Sequence, residues 1–351
     1  MLLSGIWTVS LGFAAVSLAT MLVLILTRAV SGRRARRKAE QREMLLLALL
    51  GWLEDGGAEN GAAIRRSLAR DGRLATGLLT EVFEIVRGDG QLRLAALAEE
   101  AGIGEWIRRA LRKGPVRDRL DAAEALIWFP SPKTTEALRL AVSDVQDDVS
   151  FAAAATLAGF GSELTLDERL LERLGRFGSS RRIELVLNRF AAQRPDALVD
   201  VVLDEALSDR VRTVALDAVT QTGLPGTLEL LLSLEASPSA DIRVAVARNL
   251  GTLGHPDGAP TIGRYLTDDR WEVRSKAAEA VGRLGTIELG PALCALLLDE
   301  NWWVRHRAGE ALAKLGDLGI EALNEMAAIA AQTTLGQTAT HILAERNRSA
   351  A

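Results

Sequence analysis

Three histidines, His255, His306 and His341, and one cysteine, Cys294, make up the nitrogen and sulfur side chains that could ligate a metal or attack a substrate in this 351-residue chain. A metal site built from them would need two or more ligands at a spacing such as CxxC, and a reactive thiol would need an activating neighbour. His255 stands in GHPDG, a turn, and His306 in a helical run, neither with a second ligand at such a spacing, while Cys294 in PALCALLL reads as a small apolar residue. There is no Gly-rich phosphate loop, GxSxG elbow or paired histidine motif. Catalytic, cofactor-binding and metal-binding residues are therefore not expected. What is left is the chemistry of contact, carried by tryptophans, arginines and carboxylates. With 48% hydrophobic, 25% charged and 4% aromatic residues, the chain is neither a disordered polyelectrolyte nor a disulfide scaffold, and its Ala, Leu, Val, Glu and Arg runs favour packed helices over sheet.

The elements that position these residues repeat. WEVRSKAAEAVGRLG (Trp271 to Gly285) and WWVRHRAGEALAKLG (Trp302 to Gly316) align at a spacing of 31, with Val273-Arg274 on Val304-Arg305. The same spacing leads back to Ile242-Arg243, Val211-Arg212, a degenerate Ser180-Arg181, Val149-Ser150 and Asp118-Arg119. Counted from the Val, offsets 0, 4, 7, 8 and 11 are mostly apolar and form one stripe of an amphipathic helix about 100° wide. Glycine follows at offset 12 in Gly161, Gly223, Gly254, Gly285 and Gly316, as at a helix end that turns left-handed. Between copies lies a second apolar segment, with Pro225, Pro256 and Pro291 near its starts. One unit is a helical hairpin that cannot bury its own apolar faces, so stacking is required.

Valine-arginine, then Ala, Ala-Leu and Leu-Gly, with Asp268 six residues before Arg274 and Asp299 six before Arg305, resembles HEAT repeats, especially the short bacterial PBS-lyase HEAT-like variety, over about residues 88 to 346. The resemblance implies an all-α fold, an α-solenoid of 31-residue hairpins, in which the Asp and Arg form a ladder of hydrogen bonds between neighbours. Asp144 occupies the Asp position of a copy that has Ser150 in place of Arg, and the copies at Arg212 and Arg243 lack an Asp at that spacing, so the ladder is expected to break in the middle.

Offsets 2, 5, 6 and 9 of the second helices point away from the stripe and are expected to form the inner surface. In the earlier copies these positions are small or apolar, Phe151, Leu216 and Val244 among them, and would let a helix or an extended peptide approach closely. The later copies place Trp271, Trp302 and Trp303 at helix starts with His306 and Arg307 nearby, residue types that dominate interface energetics. Both sets are candidate partner-binding residues.

The amino terminus adds a location. Leu2 to Thr27 contains no charge, longer than the roughly 20 residues that cross a bilayer as a helix, and Trp7 sits where an interfacial aromatic belongs. Arg28, Arg33, Arg34, Arg36, Arg37, Lys38 and Arg42 follow against Glu40, a net +6 over residues 28–42. By the positive-inside rule that flank is cytoplasmic, giving a single-pass inner-membrane protein with its first residue outside, and the basic run can also touch anionic headgroups. The expected organisation is a transmembrane helix over 1–30, a basic juxtamembrane linker over 31–42, a helical cap over 43–90, repeats over 91–346 and a tail over 347–351.

Together these features point to a membrane-anchored scaffold for protein–protein interaction and not to an enzyme. The resemblance adds association with membrane enzymes such as polysaccharide glycosyltransferases. Two alternatives follow from relatives of the same kind: bilin-handling proteins, and helical repeats that bind nucleic acid. Iron hydroxylases of this kind need pairs of a His directly followed by Glu, and none stands in this sequence. Charge opposes the nucleic-acid reading, because a net −4 for the whole chain leaves −10 outside the basic run.

Overall fold

The computed structural model describes residues 20, 21, 28, 36, 37, 39–55, 61–161, 164–329 and 332–350, and among them every regular element is helical. No helix of the described residues is long and apolar enough to cross a membrane. The uncharged segment from Leu2 to Thr27, where the sequence places a span, lies outside them apart from Thr20 and Met21, as do Arg33, Arg34 and Lys38; Arg36 and Arg37 are helical and exposed. The chain divides into two units, Met1–Thr134 and Thr135–Ala351.

The first unit holds α1 (39–54), α2 (Gly61–Leu68), α3 (Gly72–Ile85), α4 (Asp89–Glu100), α5 (Ile103–Lys113) and α6 (Val116–Ala125), followed by a 3-10 turn at Leu126–Trp128. Its least regular part is still helical because each helix buries an apolar group of two to four large residues: Leu45, Leu49 and Trp52 on α1, Ile64 and Leu68 on α2, Leu78, Leu79, Val82 and Phe83 on α3. Phe83 stacks on Trp128 at 5.1 Å and meets Phe129 edge-on at 5.8 Å, an aromatic knot under the 3-10 turn.

The division falls within α7 (Pro132–Ala141). In the second unit, first and second helices alternate: α8 (Asp147–Ala158), α9 (Glu168–Phe177), α10 (Ser180–Ala191), α11 (Pro195–Leu203), α12 (Asp209–Thr222), α13 (Thr227–Ser233), α14 (Ala240–Leu253), α15 (Ala259–Tyr265), α16 (Trp271–Leu284), α17 (Gly290–Leu296), α18 (Trp302–Lys314), α19 (Asp317–Ile329) and α20 (Thr334–Ala350). The even-numbered helices pack side by side in one layer, α8 on α10 through α18 on α20, and odd-numbered helices from α11 onward each pack on the helix that follows. This is the stack of hairpins that the 31-residue spacing predicts. Helix ends follow the predicted glycines, with α14 closing at Gly254 (φ 69°) and α16 at Gly285 (φ 71°).

The stripe is buried as expected: Val273, Ala277, Ala280 and Val281 are at most 1% exposed, and Val304, Ala308, Ala311 and Leu312 at most 2%. The burial extends further around the helix than the stripe does. Offset 5 is also closed, in Ala154, Leu216, Ala247 and Ala278; α12, α14 and α16, which carry the last three, are each flanked by two other second helices as well as by first helices. Spacing between flanking helices is set by missing side chains. A Cβ on Gly251 would stand 3.0 Å from the Ala280 Cα, and one on Gly282 would stand 2.9 Å from the Ala311 Cα. Offset 9 of one copy thus meets offset 7 of the next, backbone against backbone.

A methyl group at Gly282 must push α16 from α18. Gly282→Ala is expected to cost about 1–3 kcal/mol by overpacking. At Gly77, a helical glycine of α3 with nothing within 4 Å of its Cβ position, the same change should instead be neutral or gain up to about 1 kcal/mol from helix propensity. Thermal unfolding of the two variants checks the opposite signs.

Candidate functional site

The loops that precede the second helices carry the aspartates singled out by spacing, and the first turns of those helices carry the arginines. The Asp268 carboxylate accepts from the Arg270 backbone N–H at 2.9 Å, and Asp299 accepts from the Asn301 N–H at 2.8 Å, an Asx turn that shapes each loop. Both oxygens of each carboxylate also accept from the preceding repeat. Arg243 donates through Nε and Nη2 to Asp268 at 2.8 and 2.9 Å, and Arg274 donates in the same forked way to Asp299 at 2.7 and 3.0 Å. Each arginine also turns Nη1 back onto its own loop, Arg274 to the Asp268 carbonyl at 2.9 Å and Arg305 to the Asp299 carbonyl at 2.7 Å.

A rung therefore runs forward, from an arginine to the aspartate 25 residues later. The expected break at Arg243 is corrected: it lacks an Asp six residues before it, but its partner is Asp268 of the following copy. Arg212 makes no such rung, since Ser237 stands 25 residues on, and it bonds the Val202 carbonyl at 3.0 Å and Asp209 at 3.3 Å instead. At the other end, Arg305 Nε is buried with no hydrogen-bond partner among the described residues. Asp144 keeps the turn, accepting from the Gln146 N–H at 2.8 Å, and its carbonyl accepts from Arg173 at 3.0 Å, while the Ser150 hydroxyl donates to the Val142 carbonyl at 2.5 Å.

These rungs are half-sheltered to buried, with Arg274 and Asp299 side chains 13% and 7% exposed. Hydrogen bonding to Asp268 and Asp299 raises Arg243 and Arg274 above the ordinary arginine value. Burial pushes Asp268 and Asp299 upward, yet the hydrogen bonds they receive from those arginines and from their own turns hold both below the usual carboxylate range. A second cross-link missed by the spacing joins α12 to α14: Asp217 accepts from Arg248 Nη2 at 2.6 Å and from Asn249 Nδ2 at 2.7 Å.

Candidate contact residues separate into two groups. Phe151 and Leu216 are 1% and 0% exposed and belong to the core, because neighbouring second helices cover offsets 2 and 5 there; Val244 is half-buried. Phe151 and Leu216, enclosed in this way, offer no partner surface. Trp271, Trp302 and Trp303 are 37%, 48% and 51% exposed. Asn301 caps α18 by accepting from the Trp303 N–H at 2.9 Å, which fixes both indoles at the helix start. Trp302 meets Trp303 edge-on at 4.7 Å and stacks on His306 at 4.8 Å with planes 9° apart. Arg307 pairs with Glu310 at 2.7 Å on the same helix. An aromatic ridge with a charged flank thus stands at the start of α18.

Sequence spacing missed the surroundings of His306. α20 brings His341 beside it, ring centroids 6.3 Å apart, together with Glu345. His306, Glu310, Lys314, Glu345, Arg346 and Arg348 line a groove of about 630 Å³ there. His255 sits apart from this group, its ring accepting from the Asp257 N–H at 3.3 Å in the predicted turn, and partial burial raises the thiol of the half-buried Cys294 above its ordinary value, away from the thiolate form.

A family profile described as HEAT repeats matches residues 227–313, the stretch that contains both forked rungs. No curated protein sequence matches the chain. Among solved structures, an engineered protein is 17% identical over 87% of this chain and 94% of its own, with a TM-score of 0.39. Human deoxyhypusine hydroxylase in complex with glycerol is 22% identical over 79% of this chain and 98% of its own, at 0.33. Kap121p is 13% identical over 85% of this chain, at 0.42, and the match spans 43% of its length.

Because both rung carboxylates titrate below their unfolded values, the stability they give is complete above an unfolded pKa of about 3.9 and disappears as pH falls through the lowered folded values. The double variant Asp268→Asn/Asp299→Asn should melt well below the parent chain at neutral pH, with the difference in Tm closing on acidification below about pH 4. A difference that stays constant into that range would mean the carboxylate charges do not hold the rungs.

Proposed function

We propose that this protein is a membrane-tethered scaffold that offers its helical repeats, and above all the Trp302–Trp303 edge of α18, to a protein partner. The observation that carries this reading is a pair of adjacent tryptophans, about half exposed, fixed by a helix cap and flanked by an ion pair. Tryptophan and arginine are the residue types that supply most binding energy when a partner desolvates them, and burying one indole is worth about 2–3 kcal/mol. Protein–protein contact is also what HEAT repeats are suited to, since each hairpin adds surface without adding a catalytic group.

The tether rests on the sequence. An uncharged stretch from Leu2 to Thr27 followed by a net +6 supports a single membrane span with the repeats on the cytoplasmic side. The remaining net −10 favours a protein partner over nucleic acid. A membrane enzyme complex, including one that makes polysaccharide, is the kind of assembly such a protein would accompany, and the role requires no catalysis by this chain.

Photo-crosslinking in native membranes tests the reading. A photoreactive residue at Trp303 should give one discrete adduct that Trp302→Ala weakens by about tenfold or more, in line with a hot-spot loss of at least about 1.4 kcal/mol. Adducts indistinguishable from those at exposed Leu185 on α10 would contradict the docking edge. In the same membranes, alkaline carbonate should leave the full chain in the pellet; its release would contradict the tether while leaving the docking edge to the crosslinks.

A further inference from the structure

The last two second helices each carry a histidine followed four residues later by a glutamate, His306 and Glu310 on α18, His341 and Glu345 on α20. Four residues is just over one helical turn, so each pair shares a face. Packing turns the two faces together. One ligand atom each from His306, His341 and Glu345 lie within 4.8 Å of one another. His341 Nε2 is 3.2 Å from Glu345 Oε1, and His306 Nε2 is 3.6 Å from Glu310 Oε1.

We propose that His306, His341 and Glu345, with Glu310 at the rim as a fourth donor, form a site for a divalent transition-metal ion of the zinc class that clips α20 to α18. Tetrahedral zinc holds imidazole nitrogen and carboxylate oxygen at about 2.0–2.2 Å, which places its ligand atoms roughly 3.4 Å apart. Binding an ion therefore requires the ligand atoms of this cluster, now up to 4.8 Å apart, to draw together by up to about 1.4 Å. Two imidazoles with one or two carboxylates suit zinc, cobalt, nickel or copper, whereas magnesium and calcium prefer sites made of oxygen alone.

Two independent features support a built site over a chance meeting of surface residues. First, the helices approach closely enough because offset 5 of this copy is Gly309: a Cβ there would lie 2.6 Å from Ile342 Cγ1, the residue next to His341. Second, His306 is held in place before any ion arrives, its ring stacked on Trp302 at 4.8 Å and its side chain 15% exposed. The location also lacks the link used elsewhere, since Arg305 Nε ends the row of rungs with no partner among the described residues. A metal bridge would tie together the one pair of second helices at this end that the arginine ladder does not. Lys314, Arg346 and Arg348 line the same groove and lower its affinity for a cation, an effect the two carboxylates offset. The site borders the docking edge proposed above, sharing the Trp302–His306 stack and Glu310 with it, but its argument does not rest on that role.

The test uses the untagged full-length chain in detergent, stripped with chelator and titrated with Co²⁺ and then Zn²⁺. One equivalent of Co²⁺ should produce visible ligand-field bands that Zn²⁺ displaces, and Zn²⁺ should raise Tm in a concentration-dependent way. His341→Ala and Glu345→Ala alter side chains that are 52% and 40% exposed, so the fold survives them, and each should abolish both the bands and the Zn²⁺-dependent shift. His255→Ala should leave both intact. Absence of the bands and the shift in the parent chain, or bands that survive His341→Ala, overturns the proposal.

Discussion

Everything in the second unit depends on how closely one second helix can approach the next. At Gly251 against Ala280, and at Gly282 against Ala311, backbones meet with no side chain between them. At such separations the stripe residues of successive copies interlock and lose nearly all contact with water, each buried Val or Leu contributing about 1.5–3 kcal/mol relative to exposure. Low side-chain volume where offset 9 of one copy meets offset 7 of the next is therefore a packing requirement of these contacts. It also explains why these helices look weakly amphipathic: α8 buries every residue from Val149 to Ala158.

The forked arginine rungs act on that packing as a register device. Apolar contact between two helices of small residues allows sliding, since alanines present similar surfaces at many offsets. A guanidinium that must reach a carboxylate 25 residues ahead while holding its own loop carbonyl allows one arrangement only. The loops so fixed are those that start α16 and α18, and these starts carry Trp271, Trp302 and Trp303. Exposure of the aromatic edge is thus a consequence of the ladder, because the same loop geometry that buries Asp299 turns the two indoles outward.

Much of this was legible because the repeat is regular. The 31-residue spacing, the stripe and the terminal glycines are local properties, and they placed helices, turns and the Asp and Arg positions correctly. What escaped was relational. Nothing in one copy says whether its arginine pairs within the copy or with the next, so the rung at Arg243 was hidden until the copies were stacked. Phe151 and Leu216 looked available because a single amphipathic helix has an open back, whereas a layered one is covered on both flanks. His341 lies in the last copy, six residues past Leu335, whereas its partner lies at a different offset of the copy before, and only the packing of α20 shows that it stands beside His306. The apolar segment from Leu2 to Thr27 is the reverse case, informative as sequence and outside the described residues.

A double-mutant cycle across Arg274 and Asp299 measures the central interaction most directly, because it isolates the pair from the apolar packing around it. Truncating each to alanine, singly and together, and following unfolding should give a coupling of about 1.5–3 kcal/mol, as befits a sheltered, charge-assisted forked pair. A coupling within about 0.3 kcal/mol of zero would show that the repeats hold their register without the ladder.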